Sequence, residues 1–323
     1  MLKSATQERQ SISISALLRN NVGMIFAMVA FVLIAIWVPN FLTVRNIRNL
    51  LIQSTVSCFL AAGITPILIL GGIDLSLAST MGLSSILGAL YMVNTGNVIV
   101  GILIMLFTGM LIGLFNGYCI SKLGMVPFVV TMSVMIVNTG ISTWITRAGS
   151  FAGFPTMFLQ ISKAEFLFIP FPIILVIIFF IGSHLFIKRS YIGRMLYATG
   201  VNETAAKICG IKTKRIILIS YMVGGIFASL AGVLMSSRMG VAAASLAKES
   251  LVMDYISAAV IGGVSIYGGV GSMTGAIIGA IFITVINNSM NLLGVDYQTI
   301  LITKGLVLIL VVAMEKLKKR ATD

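Results

Sequence analysis

KRSYIGRMLYATGVNETAAKICGIKTKR, residues 188–215, is the one long polar stretch between apolar blocks, and the reading of the chain on either side follows from it. It holds seven of the 22 Lys and Arg residues, namely Lys188, Arg189, Arg194, Lys207, Lys212, Lys214 and Arg215, against a single acid, Glu203. A Lys/Arg excess in a short connection between apolar runs marks the cytoplasmic side of a membrane. Within the stretch, Asn202 is placed to cap a short helix from Glu203 to Cys209. Glu203 falls in its positive first turn, and Gly210 is available to end it. The plain reading is a solvated loop; the sharper one is a docking helix that takes force from a cytoplasmic partner.

The flanking composition fits a lipid environment. Of 323 residues, 58% are hydrophobic, only 10% are charged and 32 are glycine, whereas soluble domains carry about a quarter charged residues. Apolar runs between polar or Gly/Pro breaks give ten candidate spans: 22–38, 50–70, 75–93, 97–119, 126–146, 166–187, 216–236, 251–265, 272–292 and 298–314. Each span needs about 20 apolar residues, so ten of them leave no length for a soluble domain. The expected organisation is a cytoplasmic segment 1–21, a transmembrane domain 22–314 with the loop 188–215, and a cytoplasmic basic tail 315–323. The first apolar run is long and ends in WVPN without small residues for cleavage, so it reads as a span and not as a signal peptide. With the N-terminus inside, fifteen of the 22 basic residues fall on the cytoplasmic side, which predicts both termini inside. The outer segments 147–165 and 237–250 are then the natural contacts for an external partner.

The formal charge of +13 sits at span ends, without the interleaved aromatics of a groove binder, so no nucleic-acid partner is expected. Cys58, Cys119 and Cys209 are widely spaced and His184 is the single histidine, so neither a disulfide frame nor a metal site is indicated. There is no GxxxxGK[ST] for gripping ATP phosphates, and no HExxH or GxSxG set for hydrolysis. Chemistry on this chain is not expected.

Two glycine-broken junctions echo each other: LGGIDLSLAS at 70–79, with Gly71 and Gly72, and IGGVSIYGGVGS at 261–272, with Gly262, Gly263, Gly268 and Gly269. At membrane depth such breaks survive only when buried in protein or lining a wet cavity; at the surface they are tight turns. Gly271, Gly275 and Gly279 recur every fourth residue, a spacing that lets helices approach closely. Asp74, Asp254 and Lys304 lie at or within apolar runs, where an ionisable group points to a functional or paired role. For Asp74 the alternative is capping of the third span, and Lys304 is a candidate partner for Asp254. Asn287 and Asn291 share one helical face beside Asn288, and Asn116 and Asn138 stand in other spans. Their amides suit hydroxyl-rich solutes and interhelical packing alike.

Several of these pieces, taken in order from about Phe41 to the C-terminus, resemble the ribose-type sugar permeases of bacterial ATP-binding-cassette importers. They are GGIDLS at 71–76; Gly200, Asn202, Ala205, Ala206, Gly210 and Ile211 in the basic loop; Asp254, Ile256, Ala258, Ala259, Gly262 and Gly263; Tyr267 to Gly269 with Gly271 and Ser272; and Asn287, Asn288, Asn291 to Gly294. The chain departs from that pattern at Leu77 and Ala78, Val252, Val264 and Val270. The resemblance implies a membrane subunit that works as a dimer with a second permease copy. It would receive solute from an extracytoplasmic sugar-binding protein and dock cytoplasmic ATP-binding subunits, which would hold ATP and Mg while this chain holds no cofactor. It also implies a coupling element at Asn202, Glu203, Ala205, Ala206 and Gly210.

The expectation is therefore an all-α, polytopic bundle in the lipid bilayer of the bacterial cytoplasmic membrane, moving a monosaccharide by alternating access. The glycine junctions would serve as gate or hinge. Asp74, Ser76, Asn116, Asp254, Asn287, Asn288 and Asn291 would lie along the path. The alternative is a secondary transporter in which Asp74, Asp254 and Lys304 relay a proton or ion.

Overall fold

The computed structural model describes residues 31–167 and 169–320. The expected segment 1–21, residues 22–30 of the first span and residues 321–323 of the tail lie outside the described residues.

The fold is a helical bundle. After a helical stretch at 31–37, four long helices follow: α1 (Val44–Ile69), α2 (Leu77–Thr95), α3 (Val98–Ser121) and α4 (Pro127–Thr146). Next come β1 (Ser150–Ala152), α5 (Thr156–Lys163), β2 (Glu165–Phe166), β3 (Ile169–Pro170) and α6 (Phe171–Arg189). The basic stretch forms α7 (Tyr191–Val201) and α8 (Glu203–Ile208). The chain continues through α9 (Thr213–Met239), β4 (Val241–Ala243), α10 (Glu249–Ile261), α11 (Met273–Leu292) and α12 (Tyr297–Arg320).

Local sequence accounts for many of the boundaries. Thr43, Asn97 and Ser272 each accept a bond from the backbone N–H three residues on, capping α1, α3 and α11. Pro127 and Pro172 stand in the first turns of α4 and α6, where the missing N–H costs nothing.

The core is built on α1, whose Leu60, Ile64, Ile67, Leu68 and Ile69 are essentially inaccessible. Against it lies α9, and against α9 lies α3. A Cβ on Gly109 would sit 2.2 Å from the Gly225 carbonyl oxygen, and one on Gly113 would sit 2.3 Å from that of Tyr221. Backbones this close exchange dispersion contacts that larger side chains would prevent. The Gly275 and Gly279 face behaves as expected: added Cβ atoms would lie 1.8 Å from the Gly262 oxygen and 1.9 Å from the Ala258 oxygen, so α11 packs directly on α10. Gly271 is not on that face, because α11 begins at Met273.

Among the described residues, seven helices are long and apolar enough to cross a membrane: α1, α2, α3, α4, α6, α9 and α11. The expected span 251–265 is corrected to the 13-residue α10, which ends at Ile261 because Gly262 and Gly263 break it. The span expected from 166 begins at Phe171, since Glu165–Phe166 pairs with Ile169–Pro170 as a short hairpin. The two stretches flagged as outer contacts meet through a short antiparallel ribbon, with Ser150 opposite Ala243 and Ala152 opposite Val241. Ser162 donates its backbone N–H to Ser237 Oγ (3.1 Å), and Arg48 of α1 pairs with Glu165 at the same end. The basic stretch lies at the other end, so the bundle has a ribbon end and an elbow end.

Candidate functional site

The elbow comprises α7, α8 and the turn to α9. Asn202 lies between the two short helices in an extended conformation, and its Oδ1 accepts the Ala205 N–H at 2.9 Å. Gly210, with φ of +80°, ends α8: Gly210 N–H donates to Lys207 O, and Ile211 N–H donates to Ala206 O at 3.0 Å. A left-handed residue there is the signature of a glycine stop. Glu203 Oε1 accepts from Thr213 Oγ1 (3.2 Å) and pairs with Lys207 Nζ (2.7 Å), tying α8 to the first turn of α9. Only Ala206 of this helix is buried, so Ala205 and the rest face outward. Ile208 (84% exposed) lies among the basic side chains of the elbow, and Val201 (74%) sits beside Gly269, where an added Cβ would meet Val201 Cγ2 at 2.8 Å.

Sequence reasoning missed α7. Its signal was present: Ser190 caps it by accepting Gly193 N–H (2.9 Å), and Gly193, Leu196 and Thr199 recur every third residue as its buried side. Glycine and arginine interrupted the apolar run and made it resemble loop.

The end of α7 meets both glycine junctions. Ile69 closes α1, and its carbonyl, unable to find a partner within the helix, accepts the Gly269 N–H at 2.8 Å. A Cβ on Gly200 would fall 1.8 Å from the same oxygen, and one on Gly268 would fall 2.7 Å from Gly200 O and 3.0 Å from Gly71 N. Gly268 and Gly269 hold φ of +86° and +75°, a region where side chains are strained. Tyr197 donates its hydroxyl to Gly271 O at 2.7 Å, and burial pushes its phenol up, keeping that proton in place. Of the pair predicted as a hinge, Gly71 therefore lies against Tyr267 and Gly268, whereas Gly72 faces the Tyr221 hydroxyl and Ile67. Gly262 is spent on the α10–α11 contact, and Gly263 is in open space.

The predicted path residues separate into three groups. Asp74 Oδ1 accepts the backbone N–H (2.7 Å) and hydroxyl (2.6 Å) of Ser76, and Asn116 Nδ2 donates to Ser76 Oγ (2.9 Å). All three side chains are interior, and Tyr255 Oη donates to the Asp74 carbonyl at 2.8 Å. Asp74 thus forms a turn ahead of α2, whose N-cap, Ser76, makes no side-chain cap bond. In the second group Asp254 pairs with Lys304 Nζ (2.9 Å) and receives Asn287 Nδ2 (3.4 Å). In the third, Asn288 and Asn46 exchange amide bonds of 2.9 Å in each direction. Asn291 is exposed and donates to Asn287 O (2.7 Å), while Asn138 reaches Ser79 and Thr80 at 3.3 Å.

Residues 46–312 match the family model described as branched-chain amino acid transport system / permease component. The chain belongs to that permease family. The permease is 35% identical over 289 residues to the ribose import permease protein RbsC of Bacillus subtilis (strain 168), covering 89% of each chain. It is 30% identical to the ribose import permease protein RbsC of Escherichia coli (strain K12), covering 92% of this chain and 94% of that one. It is 32% identical to the D-allose transport system permease protein AlsC of the same strain, over 86% and 85%. No solved structure matches it. The resemblance to ribose-type permeases holds over most of the chain, as does the multi-pass membrane character, with seven helices fit to cross a bilayer.

Proposed function

We propose that this permease is the membrane subunit of an ATP-driven importer for a monosaccharide, set in the bacterial cytoplasmic membrane with about ten spans and both termini inside. Two copies, or one copy and a related permease, would enclose the path. A cytoplasmic ATP-binding subunit would supply the energy and hold ATP with Mg, and an extracytoplasmic binding protein would deliver the sugar by way of the ribbon end. The observation that carries the reading is α8: a six-residue helix capped at both ends, braced to α9 through Glu203 and Thr213, and otherwise exposed in the most basic segment of the chain. A helix so short is not stable alone, so its exposed side fits a surface built to be held by a partner. The sugar specificity is drawn from the ribose and allose relatives.

Alternating access follows if ATP-driven closure of the partner displaces α8. Along the path, solute contacts fall to Asn287 and Asn291, whose amides offer donor and acceptor together. Asp74, Ser76 and Asn116 brace the entry to α2, and Asp254 and Asn288 hold their helices in register. The relay reading has less support: Lys304 is bound to Asp254, and Asp74 holds Ser76 through Oδ1, with the buried Oδ2 left without a hydrogen-bond partner among the described residues.

The test is uptake of labelled ribose, allose and galactose into proteoliposomes holding the permease, its ATPase subunit and the sugar-loaded binding protein. Uptake should require ATP on the ATPase side and survive ionophores. Uptake that proceeds without ATP and collapses with an ion gradient would return the chain to the relay class.

A further inference from the structure

We propose that the meeting of Ile69, Gly200 and Gly269 is the point through which motion of the elbow enters the bundle, with Tyr197, Gly200 and Gly268 as positioning residues for transport. The proposal rests on the importer reading and adds to it the route taken by the displacement beyond α8. Four observations carry it.

First, α8 itself buries one side chain, Ala206, and touches the bundle through Glu203 to Thr213. Its main direct contacts are with the adjoining α7 and with the start of α9. Second, α8 is separated from α7 by the single residue Asn202, and α7 is half-buried, with Gly193, Leu196 and Thr199 inside. Displacing α8 therefore displaces α7. Third, the C-terminal turn of α7 is wedged backbone to backbone against α1 and the 268–271 junction. The Gly269 N–H to Ile69 O bond (2.8 Å) and the Tyr197 Oη to Gly271 O bond (2.7 Å) close the contact. No flexible side chain intervenes at Gly200, where a Cβ would lie 1.8 Å from Ile69 O and 2.8 Å from Gly269 N. Backbone in direct contact yields little, so displacement is transmitted and not absorbed. Fourth, the elements reached this way lead to the candidate path: α1 continues through Gly71 and Gly72 to Asp74 and α2, and the 268–271 junction opens α11, which carries Asn287 and Asn291.

The echo between the two glycine junctions thus acquires a physical cause. Each is thin so that the other, and the end of α7, can be packed against it.

Two variants test the idea in proteoliposomes with the partner ATPase and binding protein. Tyr197→Phe removes one hydroxyl, and Gly200→Ala inserts one methyl. Both should keep the ATPase bound and hydrolysing, while sugar uptake falls by about tenfold or more, the range of a lost coupling between two sites. Gly140→Ala, where an added Cβ meets nothing within 4 Å, serves as the control and should transport normally. Uptake within twofold of wild type in both variants would overturn the proposal. So would loss of ATPase binding in Tyr197→Phe, because the contact would then be a folding seam and not a transmitter. Wild-type uptake without ATP would instead sink the importer reading, so the two failures are distinguishable.

Discussion

Lys304 Nζ lies 2.9 Å from Asp254 Oδ1 and 3.0 Å from Oδ2, a nearly buried ion pair that joins α12 to α10. Two further ties lie nearby: Tyr297 Oη bonds Ser250 Oγ of α10 at 3.3 Å, and Nζ of Lys248, the residue before α10, lies 5.2 Å from the centre of the Tyr297 ring. Polar ties of this kind help specify which face of α12 meets the bundle, because side chains that bond across helices add to packing in fixing their rotation in lipid.

Removing one partner of the pair is expected to cost more than removing both. Lys304→Met strands the Asp254 carboxylate and should destabilise the protein by about 3–5 kcal/mol, whereas Lys304→Met with Asp254→Leu should recover most of that loss. Thermal unfolding in detergent checks the order; a double variant as weak as the single would show that the charge is not what holds α12.

Cys209 offers a topological test without mutation. It is the one exposed cysteine among the described residues, Cys58 and Cys119 being buried, and it sits at the end of α8. An impermeant maleimide added to intact cells should leave it unlabelled and should label it in inverted membrane vesicles. Labelling from outside would place the elbow on the wrong face.

The two caps of α8 should matter to transport before they matter to folding. Asn202→Ala removes the bond to Ala205 N–H and costs about 1 kcal/mol. Gly210→Ala forces a side chain into a left-handed residue for about 1–2 kcal/mol. A six-residue helix cannot absorb either change, so uptake should fall while membrane yield and melting temperature stay close to wild type.

The amide pair between Asn46 and Asn288 is expected to have a small, measurable coupling. A double-mutant cycle with leucine at each position should give about 0.6 kcal/mol and no more than about 1.7, the range found for polar contacts between helices in membranes. Uptake measured on the same variants should follow stability; a selective loss of transport would instead place Asn288 against the solute.

Much of this organisation was legible in the sequence. The Asn202–Gly210 helix was readable because capping is local chemistry: one acceptor three residues before a donor, and one glycine where the chain must turn left-handed. The Lys304–Asp254 pairing was readable because an isolated charge in an apolar run demands an opposite one. The Gly275 and Gly279 face was readable from spacing alone. What could not be read was any contact without a local signature. The 150–152 and 241–243 strands are three residues each and look like ordinary loop. The approach of Gly200 to Ile69 and Gly269 joins three distant segments by backbone, leaving only glycines that any tight turn would also explain. The path residues form one set in the sequence because polar side chains in apolar helices look alike there, and the structure holds them in three separate clusters. Only packing separates a turn-forming Asp74 from a paired Asp254 and an exposed Asn291.

The ribbon of residues 150–152 with 241–243 makes a closed noose of everything between them, from α5 through the elbow to the end of α9. A protease that nicks the exposed Ile208 or Cys209 would therefore cut the noose without freeing either arm. The halves would stay knotted by the ribbon, by the Ser162 and Ser237 bonds, and by α9 lying against α1 and α3. A permease nicked within its elbow should therefore run as one particle under native conditions and separate into two fragments only on denaturation.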